Sequence, residues 1–363
     1  MLFNTNPIAH MQHKKILSIN ILVLSVMLLQ QCSKKDNGTT TPIDTTPQPN
    51  LPATTFNYIT TYPAHIQSAL TANDNTPADN PITNDGATLG RVLFYDKHLS
   101  KNNTVSCGSC HKPESSFSDN AQFSKGFDNG LTTKNSMPVL NLRFYKSGKM
   151  FWDERAPTLE KQVLQPIQNT VEMGLTLAEL EAKVKALNYY PALFQKAFGS
   201  TAIDSVKIAK AVSQFMRSIV TYQSRYDLVK QGLATFTPAE AAGEQVFLNA
   251  PPGGNSCASC HTPPMFLTST PVAGFAFPLE AGINGQNRFK SPSLRNIAAT
   301  APYFHSGAIA SLTAMLNGGP AGAPTHVPAH SIAPADAGNV LAFLQTLTDN
   351  AVTIDVKFSD PFK

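Results

Sequence analysis

Four of the five cysteines occur in two copies of one pattern, in which two cysteines separated by two residues are followed directly by a histidine. The members of the two copies are Cys107, Cys110 and His111, and Cys257, Cys260 and His261. Thiols at this spacing can bond covalently to the edge of a haem, and the adjacent imidazole can ligate its iron. The sequence therefore predicts two covalently bound c-type haems and redox chemistry.

Two other uses of paired cysteines were weighed against haem attachment. A four-cysteine zinc site could be built from the same two pairs, but it would leave His111 and His261 without a role. A thioredoxin-like redox pair would need strands alternating with helices around the cysteines, and the sequence lacks that pattern. Haem attachment is the interpretation that uses all six residues.

The N-terminal segment resembles an export signal. Lys14 and Lys15 precede an apolar stretch at residues 16–29, which is too short to span a membrane. We predict a signal peptide at residues 1–31 and lipidation of Cys32, although Gln31 replaces the small residue that usually precedes such a cysteine. The alternative is an ordinary cleaved signal with an incidental cysteine. Either signal predicts a location in the periplasm or cell envelope.

Composition restricts the remaining function classes. The chain has 363 residues, of which 42% are hydrophobic and 14% are charged, so it can bury a substantial core. Its formal net charge of +4, without clusters of Lys or Arg, argues against nucleic-acid binding. Residues 32–55 are rich in Thr and Pro, which predicts a flexible linker between the lipid and the folded protein.

Helices must position the two cysteine motifs. Thr176 and Glu179 form a predicted capping box, as do Thr237 and Glu240. Asp204 can cap a helix with one apolar face, and a further apolar series predicts the last helix. The residues of that face are Val206, Ala209, Val212, Met216 and Ile219, and the last series is Val340, Leu344 and Leu347.

The predicted fold class is mainly α, with two cytochrome c-like haem domains. We place the first haem domain at residues 56–235 and the second at 236–350, because each contains one motif. Residues 351–363 are expected to form a tail that packs back on the first domain.

Five further segments give the chain a family resemblance. Between about residues 88 and 349 it resembles bacterial di-haem cytochrome c peroxidases and the related enzyme MauG, which oxidises tryptophans in a partner protein. The matching segments are residues 90–96, 135–141, 151–156, 166–173 and 291–307. The resemblance implies that the first haem reacts with hydrogen peroxide and that the second transfers electrons from a small cytochrome c or cupredoxin. Dimers are common in the family, and the sequence leaves open whether this chain forms a homodimer.

The resemblance assigns three residues to catalysis. Glu172 matches the family's catalytic glutamate, which would move a proton between the two oxygens of peroxide. Gln162 matches a glutamine of the same pocket, and Trp152 matches an indole between the haems that can relay electrons. Without the resemblance, Glu172 would be interpreted as a solvated loop residue, Gln162 as an exposed helix residue, and Trp152 as core packing.

The resemblance also concerns the iron face opposite His111. Many family members block it with a histidine that is released when the second haem is reduced. Phe127 occupies the matching position here, and phenylalanine cannot ligate iron. We therefore expect a first haem that is open at rest and needs no reductive activation.

The second ligand of the second haem is Met in the peroxidases and Tyr in MauG. Met315 is the expected ligand here, with His326 and His330 as alternatives, and a core position for Met315 is also open. His305 is expected to be a hydrogen-bonding residue of that pocket.

A calcium ion often lies between the haems in this family. The side-chain oxygen of Asn135 and the carbonyls of Thr300 and Pro302 match its protein ligands. Two other histidines, His65 and His98, belong to no motif and are expected at the surface.

The sequence thus predicts an exported, lipid-anchored cytochrome c peroxidase. The alternatives are a MauG-like oxidase of a protein side chain and a di-haem electron carrier without catalytic activity. A tyrosine ligand at the second haem would favour the MauG-like oxidase. Two six-coordinate haems that do not react with peroxide would favour the carrier.

Overall fold

Helices form most of the regular structure. The computed structural model describes residues 46–251, 256–267, 289–317 and 332–363, of which 47–363 belong to one compact unit. The predicted signal peptide, Cys32, His326 and His330 lie outside these residues. In the described part of the chain, no helix combines the length and the apolar character needed to cross a membrane.

The α-helices of the described residues are α1 (Ala64–Asn73), α2 (Asn84–Tyr95), α3 (Cys107–Cys110), α4 (Leu159–Gln168), α5 (Leu177–Ala186), α6 (Tyr190–Phe198), α7 (Ser205–Ser218), α8 (Arg225–Lys230), α9 (Pro238–Leu248), α10 (Leu312–Leu316), α11 (Pro334–Gln345) and α12 (Ala351–Ile354). Short 3-10 turns lie between several of them, and β-structure in these residues is limited to isolated bridges. The prediction of a mainly α fold is confirmed.

The helix starts follow the local capping signals. The side chain of Thr176 accepts a hydrogen bond from the backbone of Glu179, whose carboxylate accepts one in return, and Thr237 begins α9 with the same capping box. Asp204 caps α7. The prediction that Val206 belongs to the apolar face of α7 is wrong, because this residue is 60% exposed. Val206 lies in the first turn of the helix, and the buried face begins at Ile208.

Two helix pairs form the centres of two hydrophobic cores. In the first, α2 packs against α7, and a Cβ atom on Gly90 would lie 2.0 Å from the carbonyl oxygen of Ala211. In the second, α9 packs against α11, and Gly243 approaches the carbonyl of Asn339 equally closely. Both pairs therefore need a glycine where the helices meet. Tyr226 of α8, which precedes the predicted domain boundary, packs in the second core.

The C-terminal segment lies against the first core. Val352 and Phe358 are buried in that core. The hydroxyl of Tyr95 donates to the carbonyl of Phe358 at 2.6 Å, and Nε of Arg91 donates to the carbonyl of Ser359 at 2.7 Å. The two ends of the folded unit therefore stabilise each other.

The two histidines expected at the surface are partly buried, so that prediction is wrong. Nε2 of His65 lies 2.8 Å from Oδ1 of Asp227, and Nδ1 of His98 lies 2.7 Å from Oδ1 of Asp96. Both aspartates are buried. Each buried carboxylate holds its imidazole against the protein. Charge patterns in the sequence do not reveal these two pairs.

Gly90→Ala is expected to lower the free energy of unfolding by about 1–3 kcal/mol, because the added methyl group forces α2 away from the backbone of α7. Gly338→Ala in α11 is the control, since nothing described lies within 4 Å of its added Cβ. It should stabilise the protein by roughly 0.5–1 kcal/mol through helix propensity. Denaturant unfolding of both haem-loaded variants measures the difference, and equal effects would contradict the packing argument.

Candidate active site

A cavity of about 390 Å³ lies beside the first cysteine motif. The predicted site residues that line it are His111, Asn135, Trp152, Gln162 and Glu172. These residues are up to 61 positions apart in the chain, yet they surround one space. A volume of this size is typical of a small-molecule or cofactor site.

Helix α4 and the turn after it position Gln162 and Glu172. Thr158 caps α4, so Gln162 lies in the first turn of the helix and faces the cavity. Beyond the helix, Oδ1 of Asn169 accepts hydrogen bonds from the backbone of Val171 at 2.8 Å and Glu172 at 3.2 Å. This turn fixes the backbone of Glu172 at the cavity wall.

Burial is the main influence on the Glu172 carboxyl group. It raises the pKa of Glu172 above the usual 4.5, while the positive charge of Arg155 acts in the opposite direction. A raised pKa makes the carboxylate a stronger proton acceptor, which suits a group that takes up a proton and returns it. Arg155 lines the same cavity, with its guanidinium carbon 3.6 Å from the ring centre of Phe151.

Phe127 lies on a loop joined to the backbone of Glu172. Its N–H donates to the carbonyl of Glu172 at 3.0 Å. Its ring packs so closely on Gly174 that a Cβ atom there would lie 2.5 Å from Cε1 of Phe127. Phe127 is not among the described residues that line the cavity.

Trp152 connects the first half of the chain to the segment that contains His305. Its indole N–H donates to the carbonyl of Asn135 at 2.8 Å, and its ring lies edge-on to His305 at 6.2 Å between ring centres. The backbone N–H of Asn135 donates to the carbonyl of His305 at 2.8 Å. His305 is buried and stacks on Phe289, with 3.8 Å between ring centres.

The first cysteine motif has the local structure that haem attachment requires. Nδ1 of His111 lies 3.2 Å from the carbonyl of Phe117, which fixes the tautomer in which Nε2 can ligate iron. Burial raises the pKa of Cys107 to about 12 and that of Cys110 to about 11, so both are neutral thiols. The residues present fit a covalently attached haem.

The four cysteines do not form a zinc site. None of the four forms a disulfide, and no group of three or more His, Cys, Asp or Glu side chains within the described ranges could hold a metal ion. A four-cysteine site would require the two motifs to meet. Each motif instead packs in its own part of the fold.

The second motif lies on the second core. Cys257 and Ala258 are half-buried against it, and Nδ1 of His261 lies 3.1 Å from Oγ of Ser291. Met315, in α10, packs in a neighbouring cluster built on Tyr303, Ile309 and Leu312. Ile297 and Leu341 contact both groups of residues. Met315 and Cys257 therefore lie in two neighbouring clusters that share these two residues. Ligation of the second haem by Met315 stays a prediction.

Calcium binding by Asn135, Thr300 and Pro302 stays a prediction. Nδ2 of Asn135 donates to the carbonyls of Ala121 and Gln122 at 3.1 and 3.2 Å, which orients the side-chain amide. Thr300 is buried. No carboxylate was part of the predicted ligand set, so the site would depend on neutral oxygens and water.

Several cavity residues were missed by the sequence analysis. Arg155, Asn169, Phe289 and Lys290 line the cavity together with the predicted residues. Arg155 lies inside the matching segment 151–156, and Lys290 directly precedes the segment 291–307. One matching segment therefore contained Arg155, whereas Lys290 lies outside them all, and the lining role of both residues depends on the fold.

Comparisons with known proteins agree with this site. A family model described as di-haem cytochrome c peroxidase matches residues 84–235. The cytochrome c551 peroxidase of Nitrosomonas europaea is 33% identical over 250 residues, covering 65% of this chain and 72% of the relative. The MauG protein of Methylorubrum extorquens is 33% identical over 257 residues, covering 66% and 70%.

A solved structure extends the similarity to the fold. The crystal structure of a MauG-like protein associated with microbial copper homeostasis is 30% identical, with a TM-score of 0.72, covering 85% of this chain and all of that one. The family model covers the first cysteine motif and the cavity residues from His111 to Met216. The chain belongs to the family of di-haem cytochrome c peroxidases and MauG proteins.

Proposed function

We propose that the protein is a di-haem cytochrome c peroxidase, which reduces hydrogen peroxide to two waters with two electrons and two protons. The observation that carries this proposal is the cavity shared by His111, Gln162, Glu172 and Trp152. A pure electron carrier has no use for a carboxylic acid and an amide facing an open space beside the iron ligand. Export and lipid attachment through Cys32 remain part of the proposal.

The protein side chains have separate tasks in this reaction. A haem attached at the first motif would supply the iron that binds peroxide and takes up its oxidising equivalents. Glu172 accepts a proton from peroxide and delivers it to the oxygen that leaves as water. The amide of Gln162 orients peroxide by hydrogen bonding, and His111 would ligate the haem iron.

Electrons reach the cavity from the second half of the chain. Trp152 lies at the cavity wall, and its indole N–H donates a hydrogen bond to the carbonyl of Asn135. The backbone N–H of Asn135 donates in turn to the carbonyl of His305. These contacts support the proposal that the oxidisable indole relays electrons from the second half of the chain. A haem held by His261 and Met315 would accept electrons from a small cytochrome c or cupredoxin.

MauG-like oxidation of a protein side chain is the second candidate. It is favoured by MauG relatives that are as similar to this chain as the peroxidases are. Met315 in place of a tyrosine ligand argues against it. A tyrosine-ligated spectrum of the second haem would favour this candidate over the peroxidase.

The test of the peroxidase is oxidation of a reduced small cytochrome c by hydrogen peroxide, with the haem-loaded protein fully ferric at the start. We expect turnover without pre-reduction. Turnover only after pre-reduction would retain the enzyme and contradict an open first haem. No turnover in either state, with both haems intact, would contradict the peroxidase.

Phe127→His is expected to make activity depend on pre-reduction, because many family members carry the iron-blocking histidine at the matching position. Phe127→Leu is the matched control, since it changes the same contact with Gly174 without adding a ligand. We expect the leucine variant to remain active in the ferric state. Optical spectra and turnover before and after reduction distinguish the two, and a ferric-active histidine variant would contradict this prediction.

A further inference from the structure

A buried cluster next to the cavity has no part in the proposed peroxide chemistry. It consists of Tyr145, Glu154 and Lys290, which are 2%, 8% and 5% exposed. The hydroxyl of Tyr145 donates a hydrogen bond to Oε1 of Glu154. Nζ of Lys290 lies 3.7 Å from the centre of the Tyr145 ring. One phenol therefore has a proton acceptor at its hydroxyl and the Lys290 amine on its ring face, where burial lowers the pKa of that amine to about 7.

The cluster is directly connected to Trp152. The backbone N–H of Lys290 donates to the carbonyl of Trp152 at 2.7 Å. Nζ of Lys290 also donates to the carbonyl of Lys149 at 3.1 Å and lies 3.4 Å from Sδ of Met150. Lys290, Met150 and Trp152 all line the cavity. Tyr145 thus lies one side chain behind the cavity wall.

The surroundings of Tyr145 restrict how it could be oxidised. Loss of an electron alone would place a positive charge on an almost completely buried ring, which is unfavourable at low dielectric. Loss of the proton as well leaves a neutral ring. The carboxylate of Glu154 is already bonded to that proton. Burial and this carboxylate both raise the pKa of Tyr145, so the phenol is protonated before oxidation.

We propose that Tyr145 is a proton-coupled electron donor to Trp152 when no external reductant is bound. One electron passes from Tyr145 to oxidised Trp152, the phenolic O–H bond breaks, and the proton moves to Oε1 of Glu154. The products are a neutral tyrosyl radical, reduced Trp152 and a neutral Glu154 carboxylic acid. Hydrogen peroxide is the oxidant and takes two electrons, of which Tyr145 supplies one and the haem groups the other. The inference rests on the proposed peroxidase function.

The test combines freeze-quench electron paramagnetic resonance with the turnover assay. Ferric, haem-loaded protein is mixed with one equivalent of hydrogen peroxide without a donor. We expect a tyrosyl signal, which ring-deuterated tyrosine should narrow. The signal should be absent from Tyr145→Phe. It should also be lost in Glu154→Gln, which can still accept the hydrogen bond but cannot take the proton.

Tyr190→Phe is the matched control. Tyr190 is as buried as Tyr145 and donates to a carboxylate, Oδ2 of Asp96, at 2.6 Å. Unlike Lys290 beside Tyr145, its neighbours Asp96, Tyr189 and Phe194 are not among the described residues that line the cavity. Tyr190→Phe should retain the full tyrosyl signal. If Tyr145 had a purely structural role, the tyrosyl signal would also persist in Tyr145→Phe.

The outcomes separate this inference from the proposed function. Turnover with reduced cytochrome but no tyrosyl signal, or a signal that survives in Tyr145→Phe, would contradict the inference alone. A signal unchanged in Glu154→Gln would contradict the proton transfer to Glu154. Failure of the wild-type protein to turn over would contradict the proposed function, and the inference with it.

Discussion

Replacing Glu172 by glutamine is expected to lower the turnover number of peroxide reduction by about 100- to 10,000-fold, the range that one positioned proton-transferring group contributes. Glutamine preserves the size of the side chain and its place at the end of the Asn169 turn. It cannot accept a proton and return it. Stopped-flow measurement of peroxide-dependent cytochrome oxidation gives the ratio.

The pH profile tests the same role independently. Glu172 must be ionised to accept a proton, so kcat/KM should fall as the pH decreases through its pKa. Because burial raises that pKa, the fall should occur above the 4.5 of an ordinary glutamate, with Arg155 opposing the shift. Glu172→Gln should lack this acidic limb.

Glu114→Gln is the control for both measurements. Glu114 is exposed, lies three residues after His111, and is not among the described residues that line the cavity. This variant should retain the turnover and the acidic limb. A Glu172→Gln protein with unaltered haem spectra and wild-type turnover would exclude Glu172 from proton transfer.

Features encoded by neighbouring residues were predictable from the sequence. The capping boxes at Thr176 and Thr237 and the cap at Asp204 begin the helices where predicted, because each cap depends on residues three positions apart. The cysteine motifs were recognisable for the same reason. The common cavity of Gln162, Glu172 and Trp152 was anticipated through the family resemblance rather than through local patterns.

Features that depend on distant pairing were not predictable. His65 meets Asp227 across 162 positions, so its sequence surroundings gave no indication of a partner. Lys290 reaches the ring of Tyr145 from the far half of the chain. Such contacts arise only when separate helices pack, and a single sequence contains no record of which polar residues then meet.

The second large effect is expected on stability, from Asp227→Ala. Its carboxylate accepts hydrogen bonds from Arg295 at 2.6 and 2.8 Å. It also accepts one from the Ser224 hydroxyl at 2.7 Å and one from the Ser224 backbone N–H at 2.9 Å. Asp227 and Arg295 are fully buried. Removing one partner of a buried ion pair leaves an uncompensated charge, so the free energy of unfolding should fall by about 3–5 kcal/mol. Denaturant unfolding of the haem-loaded protein measures this change.

Acid conditions should reveal the same interaction in the wild-type protein. Although burial opposes ionisation, the hydrogen bonds and charge of Arg295 lower the pKa of Asp227 from 3.8 to about 2. A lowered folded-state pKa means that this stabilisation is complete above pH 3.8 and is lost as the pH falls towards 2. Asp227→Ala should lack this part of the acid dependence.

Asp79, 76% exposed and paired with Lys210, is the control. Its alanine variant should unfold like the wild type, because solvent already screens that pair. Equal losses in the two variants would show that burial does not strengthen the Asp227 interaction.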